Sequence, residues 1–247
     1  MSRRRLDVDL VRRGLVPSRA AAHELVDARR VRVNGAIAEK ASRLVAPADA
    51  VVVDGPRPRF VGRGGQKLDH ALDVFGVDVA GARAVDVGAS TGGFTDCLLQ
   101  RGAAHVVALD VGHGQLHERL VGDPRVTNLE RTNVRAATAS TIGGAIDVLV
   151  GDLSFISLGL VAPALVGLCK PGASMVLLVK PQFEAGRVEV ARGRGVITDP
   201  AIWSRVRTEV GDALEAAGCE VLGWTDSPIS GADGNREFLV HARVAER

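Results

Sequence analysis

The chain is poor in cysteine and lysine and has no long apolar run, and each shortage excludes something. Its 247 residues include three cysteines, Cys97, Cys169 and Cys219, with no C-x-x-C pair. That argues against a zinc ribbon or a disulfide framework and fits a reducing compartment, with all three as packing residues. The longest uncharged apolar stretch, 158–169, is broken by Gly159, Pro163 and Gly167. It falls short of the ~20 residues that a membrane-spanning helix needs. The start, Met1-Ser2-Arg3-Arg4-Arg5 followed by Asp7 and Asp9, lacks the apolar segment that marks a secretory signal. Positive charge comes as 27 arginines and only four lysines, Lys40, Lys67, Lys170 and Lys180. Where arginine is the default cation, a lysine draws interest because its amine can lose a proton and a guanidinium cannot. Lys67 and Lys180 are flagged on that ground. Of six histidines only His113 and His117 have an i, i+4 spacing, in a glycine-broken stretch, so no metal site is expected.

What is present is an ordinary globular composition, 46% apolar and 24% charged, with an uneven charge distribution. Residues 1–60 carry a net +6 and residues 61–247 a net −4. A small basic module joined to a mildly acidic larger one suggests that the first part holds an anionic partner. Leu6, Leu10, Val11 and Leu15 recur at helical spacing. Pro17-Ser18 restarts a helix with Ser18 as candidate N-cap, and 19–30 continues it. Asn34-Gly35 between Val31-Arg32-Val33 and Ala36-Ile37 signals a hairpin, and Val51-Val52-Val53 a further strand. Two short helices followed by strands resemble the S4-type RNA-binding domain. The phrases that carry the likeness are Ser18-Arg19-Ala20-Ala21-Ala22 and Val31-Arg32-Val33-Asn34-Gly35. Such a domain binds structured RNA by shape and phosphate contacts. The expected RNA-binding residues are Arg3, Arg4, Arg5, Arg19, Arg29, Arg30 and, in the linker, Arg63. The expected domains are 1–58, a linker at 59–65, and 66–247.

The second part reads as an α/β unit, a Rossmann-like doubly wound sheet. Ala84-Val85-Asp86-Val87-Gly88 is a buried-strand pattern, 89–94 a glycine-rich turn, 95–101 a helix, and Val106–Asp110 a strand ending in an acid. Asp110 follows Asp86 by 24 residues, near the ~20 expected for a ribose-binding carboxylate. The loop spacing Gly88-x-x-x-Gly92-Gly93 departs from the G-x-G-x-x-G of a dinucleotide site, which disfavours a dehydrogenase. S-adenosylmethionine suits it better. That molecule has no phosphate but offers an ammonium to an acid at the strand tip and ribose hydroxyls to the second. A plain tight turn at Gly92-Gly93 remains the bland alternative. Further apolar strands at 146–155 and 173–183 end in Asp152 and Lys180. In open parallel sheets ligands bind beyond the carboxyl ends of the strands, so topology alone places both at a site. Asp199-Pro200 starts a helix, with an N-cap acid and Pro at N1, that runs to Gly218 as its C′ residue, and 236–242 is a late strand.

Taken in order, Phe60-Val61-Gly62-Arg63-Gly64-Gly65-Gln66-Lys67-Leu68, Asp86–Thr95, Ala108–Leu116, Gly151-Asp152-Leu153-Ser154-Phe155-Ile156-Ser157, Val179–Gly186 and Ser227–Gly231 resemble the TlyA family of ribosomal RNA 2′-O-methyltransferases. The family joins an S4 domain to an FtsJ/RrmJ-like class I methyltransferase domain. This chain departs in the linker, where Phe60, Val61 and Gly62 replace the Trp or Tyr and following Val-Ser often found there. The resemblance implies a cytoplasmic, monomeric enzyme that methylates cytidine ribose in ribosomal RNA of one or both subunits, with S-adenosyl-L-methionine as cofactor and no membrane partner. It implies a catalytic set of Lys67, Asp152, Lys180 and Glu237. Lys180 would activate the 2′-hydroxyl, Lys67 orient the ribose, Asp152 steer the two ammoniums, and Glu237 fix the ribose or a lysine. Donor contacts are expected from Asp86, Gly88, Ser90, Thr91, Gly92, Gly93, Phe94 and Asp110, with Phe155 over the adenine. Two other classes stay open: a membrane-active haemolysin, and a non-catalytic RNA-binding assembly factor.

Overall fold

The computed structural model describes residues 3–16, 19–55, 58–231 and 233–246. Ser18, the expected N-cap, lies outside them, as do Pro17 and Arg57. The chain divides into two compact units, Met1–Gly62 and Arg63–Arg247.

In the first unit, helices Leu6–Arg12 and Arg19–Asp27 accompany a three-stranded antiparallel sheet in which Val31–Val33 lies between Ala36–Ile37 and Val51–Val53. Leu6, Leu10, Val26 and Val31 fill its core. Asn34 and Gly35 take φ of 53° and 82°, the two left-handed residues of a type I′ turn, so the Asn-Gly dipeptide forms the expected hairpin. Asp7 is fully buried and accepts hydrogen bonds from Arg5, Arg19 and His23. The Arg5 guanidinium, with burial opposing it, holds that carboxyl well below the usual range.

The second unit is built on seven strands: β1 Arg83–Val87, β2 His105–Leu109, β3 Val126–Leu129, β4 Ile146–Gly151, β5 Cys169–Val179, β6 Cys219–Asp226 and β7 Phe238–Val244. Their order is β3-β2-β1-β4-β5-β7-β6. β1 to β5 are parallel and β7 is antiparallel to both its neighbours. The inner strands are covered on both faces, which is why they read as largely apolar runs. Val85, Leu149 and Leu177 are fully buried among them. Chain order reverses between β1 and β4, the switch point where open α/β sheets hold ligands.

Boundaries differ from the sequence reading where local chemistry intervenes. β5 stops at Val179 because Pro181, which has no N–H, opens a short helix at Pro181–Glu184. β7 starts at Phe238, two residues later than expected, and runs on to Val244. The helix begun by Asp199, whose side chain accepts from Ala201 N at 2.9 Å, keeps its expected ends: it spans Pro200–Ala216, Ala217 is its C-cap, and Gly218 follows as C′ at φ 95°.

Candidate active site

The sheet register brings three of the four expected catalytic residues to one edge. Val179 pairs with Phe238, and Leu177 with Gly151. Lys180, Glu237 and Asp152 are therefore the next residues out on three neighbouring strands. The fourth comes from helix Gly64–Phe75. Leu68, Ala71 and Leu72 bury its apolar stripe, and Lys67 is buried beside them at 6% exposure. Burying an ammonium is costly unless it is paired. Lys67 Nζ donates to Glu237 Oε2, itself 3% exposed. At the first turn of the same helix, a Cβ on Gly64 would lie 3.3 Å from the Phe94 ring and 3.9 Å from Asp152 Oδ2. The bare glycine lets the helix end approach this corner. Lys180 Nζ lies 2.5 Å from Asp152 Oδ1, while its aligned donor goes to Ser154 Oγ at 2.8 Å. The result is two ammonium–carboxylate pairs at one strand edge.

Beside them is a cavity of about 430 Å³ lined by Gly88, Ser90, Asp110, Asn133, Asp152 and Phe155, among others. It is within the size range of small-molecule sites. Gly88, Ser90 and Asp152 also border a smaller cleft lined by Asp86, Thr91, Gly93 and Phe94. Asp110 sits at the end of β2. It accepts from Ser90 N at 2.8 Å and Gly112 N at 2.7 Å, which fixes its carboxylate against the cavity wall. Asp86 is fully buried; its Oδ2 accepts from Thr95 N at 2.9 Å and Thr95 Oγ1 at 2.7 Å, and its Oδ1 has no partner. Burial, against the Thr95 bonds and helped by the Asp152 charge, pushes this carboxyl up to about 7. An orphaned, buried carboxylate oxygen beside a cleft fits the ammonium of S-adenosylmethionine. Asp110 on the larger cavity fits its ribose.

The expected donor residues do not all play the same part. Gly92 lines neither space. It takes φ 93°, and a Cβ there would fall 2.2 Å from Leu120 Cδ1, so it shapes the loop. Phe155 is 91% exposed at φ 65° on the cavity rim, with its ring 4.9 Å from that of Phe183. A more open groove of about 540 Å³ beside helix Pro200–Ala216 carries none of the expected residues. His113 pairs with Glu130, and His117 caps a short helix through Arg119 N. Among the expected RNA contacts, Arg3, Arg4, Arg5, Arg19, Arg29 and Arg63 are exposed, and Arg30 is half-buried. Arg5 and Arg19 are tied to Asp7, and Arg30 donates to Asp54 O at 2.8 Å.

Sequence reasoning missed Ser154 as the Lys180 partner and Thr132, Asn133 and Val134 on the cavity wall. The second group follows β3, whose Val-Thr-Asn-Leu is half-exposed and carries no apolar run. The strand-end rule would have found it had that strand been recognised.

An FtsJ-like methyltransferase family model matches residues 60–244 and an S4 domain model residues 4–51. The chain is 50% identical to the 16S/23S rRNA (cytidine-2′-O)-methyltransferase TlyA of Mycobacterium tuberculosis, covering 99% of this chain and 91% of that protein. The chain belongs to the TlyA family of FtsJ-like methyltransferases. TlyA relatives also carry another name. Hemolysin A of Brachyspira hyodysenteriae is 38% identical over 96% of this chain and 98% of its own length. A solved hemolysin-named structure from Streptococcus thermophilus superposes with a TM-score of 0.81 at 39% identity, covering 99% of this chain and 90% of that one.

Proposed function

We propose that this TlyA-family protein is an S-adenosylmethionine-dependent 2′-O-methyltransferase acting on cytidine ribose in ribosomal RNA, 16S, 23S or both. The observation that carries the reading is the pair of lysine–carboxylate contacts at the strand edge beside the Asp110 cavity. S-adenosylmethionine, when bound, supplies a methyl group already activated on a sulfonium. Asp86 would hold its amino group, Asp110 its ribose, and Phe155 its adenine. What remains for the protein is to align a ribose hydroxyl and take its proton. Alignment of this kind contributes up to ~7–11 kcal/mol in well-oriented systems. Lys67, held by Glu237, orients the ribose. As the new O–C bond forms and the methyl–sulfur bond breaks, leaving its electron pair on sulfur, Lys180 would take the hydroxyl proton while passing one of its own to the Asp152 carboxylate. The Lys180 ammonium faces the negative charge that develops on the 2′ oxygen. Ser154 keeps the Lys180 amine pointed along that path.

The first unit supplies RNA affinity through its arginines, which suit phosphate. The working form is a cytoplasmic monomer whose partners are ribosomal RNA and ribosomal subunits. Among the described residues no helix is long and apolar enough to cross a membrane. Lys180→Ala tests the reading directly. Methyl transfer to ribosomal RNA should fall by ~10²–10⁴-fold, the range for losing a positioned proton-transfer group, while RNA binding persists. Vesicle leakage at a level independent of Lys180, with no nucleoside modified, would return the haemolysin reading.

A further inference from the structure

Between the two catalytic strand ends the chain makes a strap. It leaves the short helix Pro181–Glu184, passes through helix Arg187–Arg192 and returns at Ile197. Both ends are tied. At the near end Glu184 accepts from Ser157 Oγ at 2.6 Å and Leu158 N at 2.9 Å. At the far end Asn235, 1% exposed, donates from Nδ2 to Gly195 O at 2.9 Å, and its Oδ1 accepts from Ile197 N at 2.9 Å. Trp203 Nε1 donates to Ile197 O at 3.1 Å. Asn235 stands two residues before Glu237. The amide that clamps the strap therefore belongs to the segment that presents a catalytic carboxylate.

The middle of the strap is tightly turned and positively charged. A Cβ on Gly193 would lie 1.9 Å from Val196 O, and Arg194 takes φ 50°, a conformation that costs a non-glycine residue ~1–2 kcal/mol. Arg192 and Arg194 are exposed, and neither is in an ion pair among the described residues. The nearest acid on the strap, Glu189, is already held by Arg205 at 2.6 Å and Gly186 N at 2.9 Å. Two solvent-facing guanidiniums on a strained, anchored turn offer charge-assisted donors to an anion. Beside groups built to handle a ribose, the fitting anion is the phosphate that flanks it. A guanidinium fork matches phosphate geometry, and such contacts set the register of a strand without reading its sequence.

Resting on the RNA substrate proposed above, we infer that the Gly186–Ile197 strap is a contact surface for the phosphate backbone of the strand that presents the target ribose, with Arg192 and Arg194 as phosphate ligands and Asn235 as the positioning residue that ties the strap to Glu237. The test uses the full chain carrying Arg192→Ala with Arg194→Ala, and purified 16S and 23S ribosomal RNA. RNA affinity should weaken about tenfold, and the slope of log affinity against log salt should drop by ~1.4, the release from two single-strand phosphates. S-adenosylmethionine affinity and melting temperature should stay as in the parent. Asn235→Ala, checked for folding by cofactor binding, should lower turnover at saturating RNA more than it lowers RNA affinity. Should that variant fail to fold, the arginine pair still decides. If the parent methylates RNA and the double variant matches it in affinity and salt slope, the strap proposal falls and the function stands. If the parent methylates no RNA, both fall. Binding to anionic phospholipid vesicles that is lost in the double variant, with RNA binding unchanged, would assign the arginines to a membrane and overturn the proposal.

Discussion

Asp86 enters the fold with one oxygen satisfied by Thr95, the other bare, and the negative Asp152 and Asp110 nearby. The folded protein keeps its proton up to about pH 7, whereas an ordinary aspartate releases it near 3.8. Between those values the folded state binds more protons than the unfolded one, so this residue's contribution to stability is lost as pH rises through 7. Asp86→Asn keeps the acceptor for Thr95 and removes the charge. It should raise the melting temperature over the parent more at about pH 8.5 than at about pH 5. If Asp86 takes the cofactor's ammonium, that ligand binds the ionised form. Affinity measured by calorimetry should then fall roughly tenfold per pH unit below 7 in the parent and show no such fall in the variant. A pH-independent affinity in the parent would remove Asp86 from the ammonium site. Lys67 makes the converse case. Next to an apolar helical stripe, a lysine reads as a solvated surface residue. Its burial is decided by Glu237, 170 residues away, which no local pattern announces.

Elements, rather than single side chains, set the glycine-rich loop proposed to hold the cofactor. It turns from β1 into helix Gly93–Gln100 through Gly88 at φ 82°, Ser90 at φ 47° and Gly92 at φ 93°. Gly92→Ala meets two obstacles at once, the left-handed backbone and the Leu120 and Leu116 side chains, whose Cδ1 atoms would sit 2.2 and 2.7 Å from the new Cβ. We expect a loss of ~1–3 kcal/mol in chemical denaturation, with cofactor affinity weakened because the loop shifts. Unchanged stability would mean that the loop has slack. Much at this scale was legible in the sequence. β1, β2, β4 and β5 are covered on both faces and announce themselves as largely apolar runs, and the acid or lysine after β2, β4 and β5 marks the working edge. β3 was not legible, because an edge strand with one wet face carries no such run. Asn235 was not legible either. A polar residue in a glycine-rich loop reads as solvent-facing, and its burial depends on a strap forty residues earlier.

At the scale of the whole molecule the charge asymmetry divides the labour. Residues 1–60 hold the positive excess, and the four groups of the proposed catalytic set lie in the second unit, which carries its own core and the Asp110 cavity. Removing residues 1–62 should therefore leave S-adenosylmethionine binding near that of the full chain while RNA affinity falls. Every phosphate that the shortened protein no longer neutralises should also lower the salt slope, by ~0.7 on single strands and ~0.9 on duplex. Filter binding across a salt series, on the full chain and the truncated one, separates the two units. A truncated protein that keeps the full slope would place the RNA-binding arginines in the second unit and make those of the first structural, as the ties of Arg5 and Arg19 to Asp7 already permit. A truncated protein that loses cofactor binding as well would show that the second unit depends on the first for its fold.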